Sequence, residues 1–257
     1  LPDKESDVVL LSFGEETLAT YGQYPFPRHT YAQLISDLRN ANAGMIAFTI
    51  MFPEADRFGG DEVFISWVNN NGIILAQDAS SRGRSDAAPY VGTATLGEGD
   101  AYDFVPKYSG LVTNIKELED AAWGVGLINA GQEVDNITRR IPLLSQINEQ
   151  LYPSMPLEII RVIQDKKSYS LKANYNGIEN VMIPPYEPIQ TDYNSAIWLN
   201  MNYTHKEYEY GKDVLPNLQG RTVLVGLTAS GLASQIPTPQ GLFSAHQLQA
   251  SALQTVI

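Results

Sequence analysis

Cysteine is absent from the 257-residue sequence, which excludes a disulfide framework, a thiolate nucleophile and any zinc site built on thiolates. Histidine is scarce: His29, His205 and His246 are the only three, and no two stand at metal-ligand spacing. No metal and no cofactor are therefore expected. Basic residues are few and scattered. With 17 Lys and Arg against 29 Asp and Glu, and a net charge of −12, the chain lacks the clustered cations that counterion release on a nucleic acid requires. No apolar run approaches the roughly 20 residues that cross a bilayer as a helix.

What is present is apolar residue in quantity, 44% of the chain, enough to bury a core as one large domain or two closely joined ones. The run Val8–Phe13, closed by Gly14, reads as a buried strand. Tyr31, Leu34, Ile35 and Leu38 then fall at the spacing of an amphipathic helix starting at His29 or Thr30, and Met45–Phe52 is a second buried strand ended by Pro53. Val63, Phe64, Trp67 and Val68 mark a second helix with Asp61 as its N-cap, and Ile73–Ala76 a third strand. Helix at 115–122, strands at 125–128 and 139–144, and a helix from Ser154 to about Asp165 follow, then a buried strand at 222–226 and a helix from His246.

The pattern predicts an α/β fold with a mixed, largely parallel central sheet and flanking helices. A βαβαβ unit occupies 8–77 and a second half 111–257, within one domain covering 1–257. Residues 78–110 and 169–210 read as long, irregular, loop-rich insertions. The chain stops in mid-pattern at Ala252–Ile257 and reads as a piece of a longer protein.

Three motifs invite chemistry. Arg57–Phe64 (RFGGDEVF) nearly spells the diguanylate cyclase signature, in which the acidic pair serves metal and catalysis. The spacing after Asp61 and Glu62 is helical, however, and the upstream strand Met45–Phe52 has no aspartate to complete the metal set. Gly226–Gly231 follows a strand as a nucleophile elbow would, but Thr228 and Ser230 stand where Gly-x-Ser-x-Gly requires serine and glycine. A hydrolase using Ser230 is the corresponding enzymatic alternative. Arg28, after Tyr24-Pro25-Phe26-Pro27, stands at a helix entry where free N–H groups favour an anion. The competing reading makes Pro25-Phe26-Pro27 a rigid plug that carries Phe26 into the core.

The order of these blocks resembles the CHASE type 2 domain, an extracellular sensory domain associated with bacterial cyclases and histidine kinases. The opening strand, the Tyr24–Arg28 segment, the helix and the strand through Phe52 carry the first part of the likeness. Gly126–Asn129, Asp135–Leu143, Tyr152–Glu158, Leu218–Gly226 and Pro237–Pro239 carry the rest, with Asn136 where glycine is usual. This chain departs from the family at Thr49 and Ser234, where relatives commonly carry aspartate, and at Gln247–Ala250, where they carry glutamate-x-histidine-alanine. A metal or pH-sensing role resting on those groups is therefore not expected here.

The resemblance implies a sensory input domain with no catalytic residues, on the periplasmic or extracellular face of a bacterial cytoplasmic membrane. Membrane helices would tether it to a cyclase or histidine kinase output module, and both chain ends should lie on one side. A small molecule or protein would be its signal, a homodimer its assembly, and a freely soluble exported binding protein the alternative. Arg28, Asp135, Arg139 and Thr228 are the candidate ligand-binding residues.

Overall fold

The computed structural model describes residues 4–84, 93–96, 101–131, 133–183 and 187–257. Numbered in chain order, the main-sheet strands are β1 (Lys4–Phe13), β2 (Met45–Phe48), β3 (Ile73–Arg84), β4 (Leu111–Val112), β5 (Gly124–Leu127), β6 (Tyr203–Glu209) and β7 (Thr222–Leu227). Their order is β6-β1-β7-β2-β3, with β5 and β4 both on β3. Every pairing is parallel except β3 with β4.

The apolar runs are continuous because both faces of this sheet are covered. Alternate residues divide between two cores. Val8 and Leu10 of β1, Ala47 of β2, Ile74 of β3 and Leu224 of β7 face helices α5 (Met155–Ile163) and α6 (Ala245–Val256). Their neighbours Val9, Leu11, Phe48, Leu75 and Val225 face α2 (Arg28–Asn40), α3 (Asp61–Asn70) and α4 (Lys116–Ala121). A short α1 (Glu15–Tyr21) precedes α2.

The expected fold class is the one observed, and several boundaries are corrected. Pro27 caps α2, so Arg28 rather than His29 or Thr30 opens it. Gly60 caps α3 and Asp61 is its first residue, not its cap. The strand expected at 139–144 is two, because the partner changes at Leu143: Arg140–Pro142 pairs with Ala196–Trp198 and Leu144–Ile147 with Gln150–Pro153. Residues 78–110 are less irregular than expected, since β3 continues to Arg84 and strands occupy Thr93–Leu96 and Lys107–Tyr108; 85–92 and 97–100 lie outside the described residues. Residues 169–210 hold five strands, three of which join Thr93–Leu96 in a separate four-stranded sheet. Tyr169, Leu171 and Ala173 point into the core from that sheet while Lys172 points out, the alternation of a half-covered strand.

The Tyr24–Pro27 segment is a plug. Phe26 is 1% exposed, and its ring lies 5.3 Å from Phe13 and 5.8 Å from Tyr24, inside an aromatic cluster with Tyr31, Phe48, Phe52 and Phe64. Tilted and edge-on contacts of this kind add to area burial. Phe26→Ala is expected to cost about 3–5 kcal/mol, read as a lower urea midpoint at unchanged m-value. A wild-type midpoint would show that the ring is not a plug.

Candidate functional site

In an open parallel sheet, loops at the carboxyl ends of the strands form the crevice where ligands bind, at the point where chain connections diverge. Here β7 lies between β1 and β2, and the chain leaves it for α6 on one face while β1 leads to α2 on the other. Two adjoining cavities of about 330 Å³ each open at that edge, and Tyr24, Met51 and Pro53 line both.

The first cavity is walled by Phe26, Tyr31 and Phe52 with Arg28 among them. Arg28 is 6% exposed and engaged within the protein. Its Nη2–H donates to the Glu54 carbonyl at 2.7 Å, its Nε stands 3.3 Å from Asp61 Oδ1 as an ion pair, and its guanidinium lies 4.6 Å from the centre of the Phe52 ring. The positive end of α2 is likewise filled from inside. Asp56 accepts the N–H groups of Arg28 at 3.0 Å, Phe58 at 3.2 Å and Gly60 at 3.0 Å. Burial opposes ionisation of Asp56, but these donors and the Arg28 charge hold its carboxyl below the usual range. An internal carboxylate thus takes the place of an external anion. Asp61 answers to the same cluster, accepting the Asp56 N–H at 2.7 Å, which is a structural use for the first acidic residue of the cyclase-like motif. Burial raises the phenols of Tyr24 and Tyr31, keeping both neutral.

Among the described residues, no charged side chain lines the second cavity: Ile128, Leu227, Leu232 and Met51 stand with Thr49, Ser234 and Tyr24. Thr49 Oγ1 donates to the Val225 carbonyl at 3.0 Å. Gln249 Nε2 donates to the carbonyl of Ile128 at 3.0 Å. Of the positions singled out in the sequence as departures, Thr49 and Ser234 line this cavity and Gln249 holds its lining residue Ile128, whereas Gln247 accepts the Ser244 N–H and donates to Glu207.

The four sequence candidates are not brought together. Arg28 is on the first cavity. Thr228 sits at the same edge, its N–H on the Phe13 carbonyl at 3.0 Å, but lines neither cavity. Asp135 and Arg139 belong to a separate surface lattice in which Arg139 pairs with Asp135 at 2.8 Å and Glu133 at 2.9 Å, and Arg140 with Glu133 at 3.1 Å and Asp192 at 2.7 Å. The Arg139 guanidinium and the Ile137 N–H hold the Asp135 carboxyl down to about 2. Beside that lattice, Arg139 lines a shallow cavity with Trp198.

Sequence reasoning missed the contact that fixes α6 to the sheet. His246, fully buried, lies with Nδ1 3.0 Å from Ser244 Oγ and Nε2 3.4 Å from Glu207 Oε1. It occupies the space over Gly226, where an added Cβ would come within 2.2 Å of Nδ1. Ala245, the preceding residue, lines the second cavity. The lone histidine was visible in the sequence, but its partner Glu207 is 39 positions away. Burial opposes ionisation of Glu207, yet bonds from His246, Gln247 and Ser12 hold its carboxyl below the ordinary value of 4.5. A depressed folded pKa stabilises the protein above the unfolded value, and that stability is lost as pH falls through the folded one. Glu207→Gln is therefore expected to flatten the decline of thermal midpoint below about pH 4.5. An acid limb as steep as that of wild type would show that the contact is not coupled to folding.

A family model described as the CHASE2 domain matches residues 2–257. No curated protein and no solved structure matches the chain. The order of elements agrees with the blocks that carried the resemblance, from the Tyr24–Arg28 entry to α2 through to the final strand and α6. With essentially the whole chain matched, the protein belongs to the CHASE2 family of extracellular sensory domains.

Proposed function

We propose that this domain is the periplasmic or extracellular input module of a bacterial membrane receptor, binding its signal in the groove at the carboxyl edge and passing it to the two chain ends. One observation carries the reading: a single helix joins the groove to both ends. Ala245, at the start of α6, is in the wall of the second cavity, and Gln254, near its end, accepts the Ser6 hydroxyl of β1 at 2.6 Å. Ser6 and Gln254 thus meet at the edge where the parallel strands begin. Along α6, Ala245 and Gln254 are separated by a rise of roughly 14 Å.

The mechanism is a population shift. A ligand that fits one arrangement of the Met51, Leu227 and Ala245 walls better than another biases α6 and β1. A differential affinity of about 1–3 kcal/mol gives useful coupling. The domain acts by binding rather than turnover, and family membership favours a cyclase or histidine kinase as the output module, reached through flanking membrane helices. A small molecule suits the groove, whose second cavity is walled mainly by apolar side chains.

A thermal-shift screen of uncharged metabolites against the domain, followed by amide chemical-shift mapping, tests this. A binder is expected to move the resonances of Ala233 and Ala245 and also those of Gln254 and Ser6, and to lose at least tenfold in affinity in Ala233→Trp, which fills the second cavity. Binding that leaves Gln254 and Ser6 unmoved, or that survives Ala233→Trp, would remove the groove from the signalling path.

A further inference from the structure

The shallow cavity beside the Arg139 lattice is built differently from the groove. It encloses about 350 Å³, within the roughly 300–1,000 Å³ of small-molecule sites, and shares no lining residue with either groove cavity. Trp198 is its plate. The indole is 61% exposed, and Arg140, its partner in the pairing of Arg140–Pro142 with Ala196–Trp198, lies with its guanidinium 4.9 Å from the ring centre. Glu133 and Asp192 hold that guanidinium at 3.1 and 2.7 Å. One face of the indole is therefore covered by a pinned cation. Trp198 lines the cavity while Arg140 does not, so the open face of the ring is the one turned to it.

Much of the remaining wall is side-chain amide on fixed backbone. Asn200 donates its N–H to Thr255 Oγ1 in the last turn of α6 at 2.9 Å and accepts the Asn202 N–H on Oδ1 at 3.2 Å, which holds the 200–202 turn. In the second lining segment the Thr238 hydroxyl donates to the Gly241 carbonyl at 2.8 Å and accepts the Gln240 N–H at 3.2 Å. Both turns are thus pinned before any ligand arrives. Among the described residues no hydrogen bond engages the side-chain amides of Asn202 and Gln240, the Asn200 Nδ2 or the Trp198 Nε1–H. Trp123, by contrast, gives its Nε1–H to the Asn69 carbonyl.

We propose that this cavity binds an uncharged pyranose sugar, stacked on Trp198 and hydrogen-bonded by Asn202 and Gln240. The flat side of a pyranose presents C–H groups of slight positive charge, which rest on the negative face of an aromatic ring. Its rim presents hydroxyls that each donate and accept, as the free amides also do. Charge selects against an anion. Arg139 and Arg140 are outnumbered by Glu133, Asp135 and Asp192 and pair with them, so neither guanidinium is left for a phosphate or carboxylate. A wholly apolar ligand is disfavoured as well, because it would take the amides from water and return no hydrogen bond. The site goes beyond the sensory reading of the groove, and either can fail without the other.

Proton–nitrogen correlation spectra of the whole chain, titrated with glucose, galactose, mannose, N-acetylglucosamine and cellobiose, decide it. At least one of these is expected to shift the Trp198 Nε1–H and the side-chain amides of Asn202 and Gln240 at millimolar concentration, and to lose at least tenfold in affinity in Trp198→Ala. Trp198→Phe keeps a smaller plate and should lose less. Asn202→Ala/Gln240→Ala, both at exposed positions, should lose several-fold, and this pair carries the test should circular dichroism show Trp198→Ala unfolded. Ala233→Trp, which fills the groove, should leave sugar affinity unchanged. No shift of these groups with any of the sugars at tens of millimolar, or wild-type affinity in the folded variants, overturns the proposal. Tighter binding of adenosine or of a sugar phosphate than of the parent sugars likewise overturns it, assigning the plate to a different ligand.

Discussion

The constraint on which everything else depends is that a parallel sheet must be covered on both faces. Its strands are joined by helical crossovers that lie above and below, so side chains of both parities are buried and neither face is left for a polar site. Val223, Leu224 and Val225 are all fully buried, two facing one helical layer and one the other. Polar chemistry is thereby driven to the two rims of the sheet. The carboxyl rim collects Tyr24, Thr49 and Ser234 around the cavities, and at the amino rim the Ser6 hydroxyl meets Gln254.

Between the rims the polar groups that remain are connectors. Glu158 and Arg161 form a buried pair on α5 at 2.7 Å, closing over Gly124 and reaching the Trp123 carbonyl. Burial pushes the Glu158 carboxyl up while Arg161 holds it down. Removing one partner of such a pair strands the other charge in the core. On the other side of the sheet, Asn114 accepts the Phe52 N–H at 2.8 Å and donates to the Ala76 carbonyl at 2.9 Å, while its own N–H meets Glu119. Asn114 thereby ties the loop that follows β2 to Ala76 within β3.

Much of the frame was legible in the sequence, for a physical reason. Strands buried on both faces write themselves as unbroken apolar runs, and Val8–Phe13, Ile73–Ala76 and Thr222–Gly226 stand out for that cause. The far half of β3 was not legible, because Asp78–Arg84 is largely polar and, among the described residues, pairs with the two-residue β4. The five strands after Tyr169 were hidden by a density of tyrosine and proline that suits loops equally well. The site was less legible than the frame. Its walls come from five separated segments, and the competitor that keeps an anion from α2 is Asp56, some way along the chain from Arg28. Only the fold brings that carboxylate to the helix end. His246 was visible as an isolated residue, while its meaning depended on Gly226 lying beneath it.

That fit between His246 and Gly226 has a mechanical side. With no slack over the glycine, the first turn of α6 is pinned against β7, and roughly 15 Å of helix extends from His246 to Val256. A tilt of about 5° around that point corresponds to roughly 1.3 Å at the far tip, given that length. By leverage alone, the far end of the helix is displaced further than its pinned turn for any such tilt.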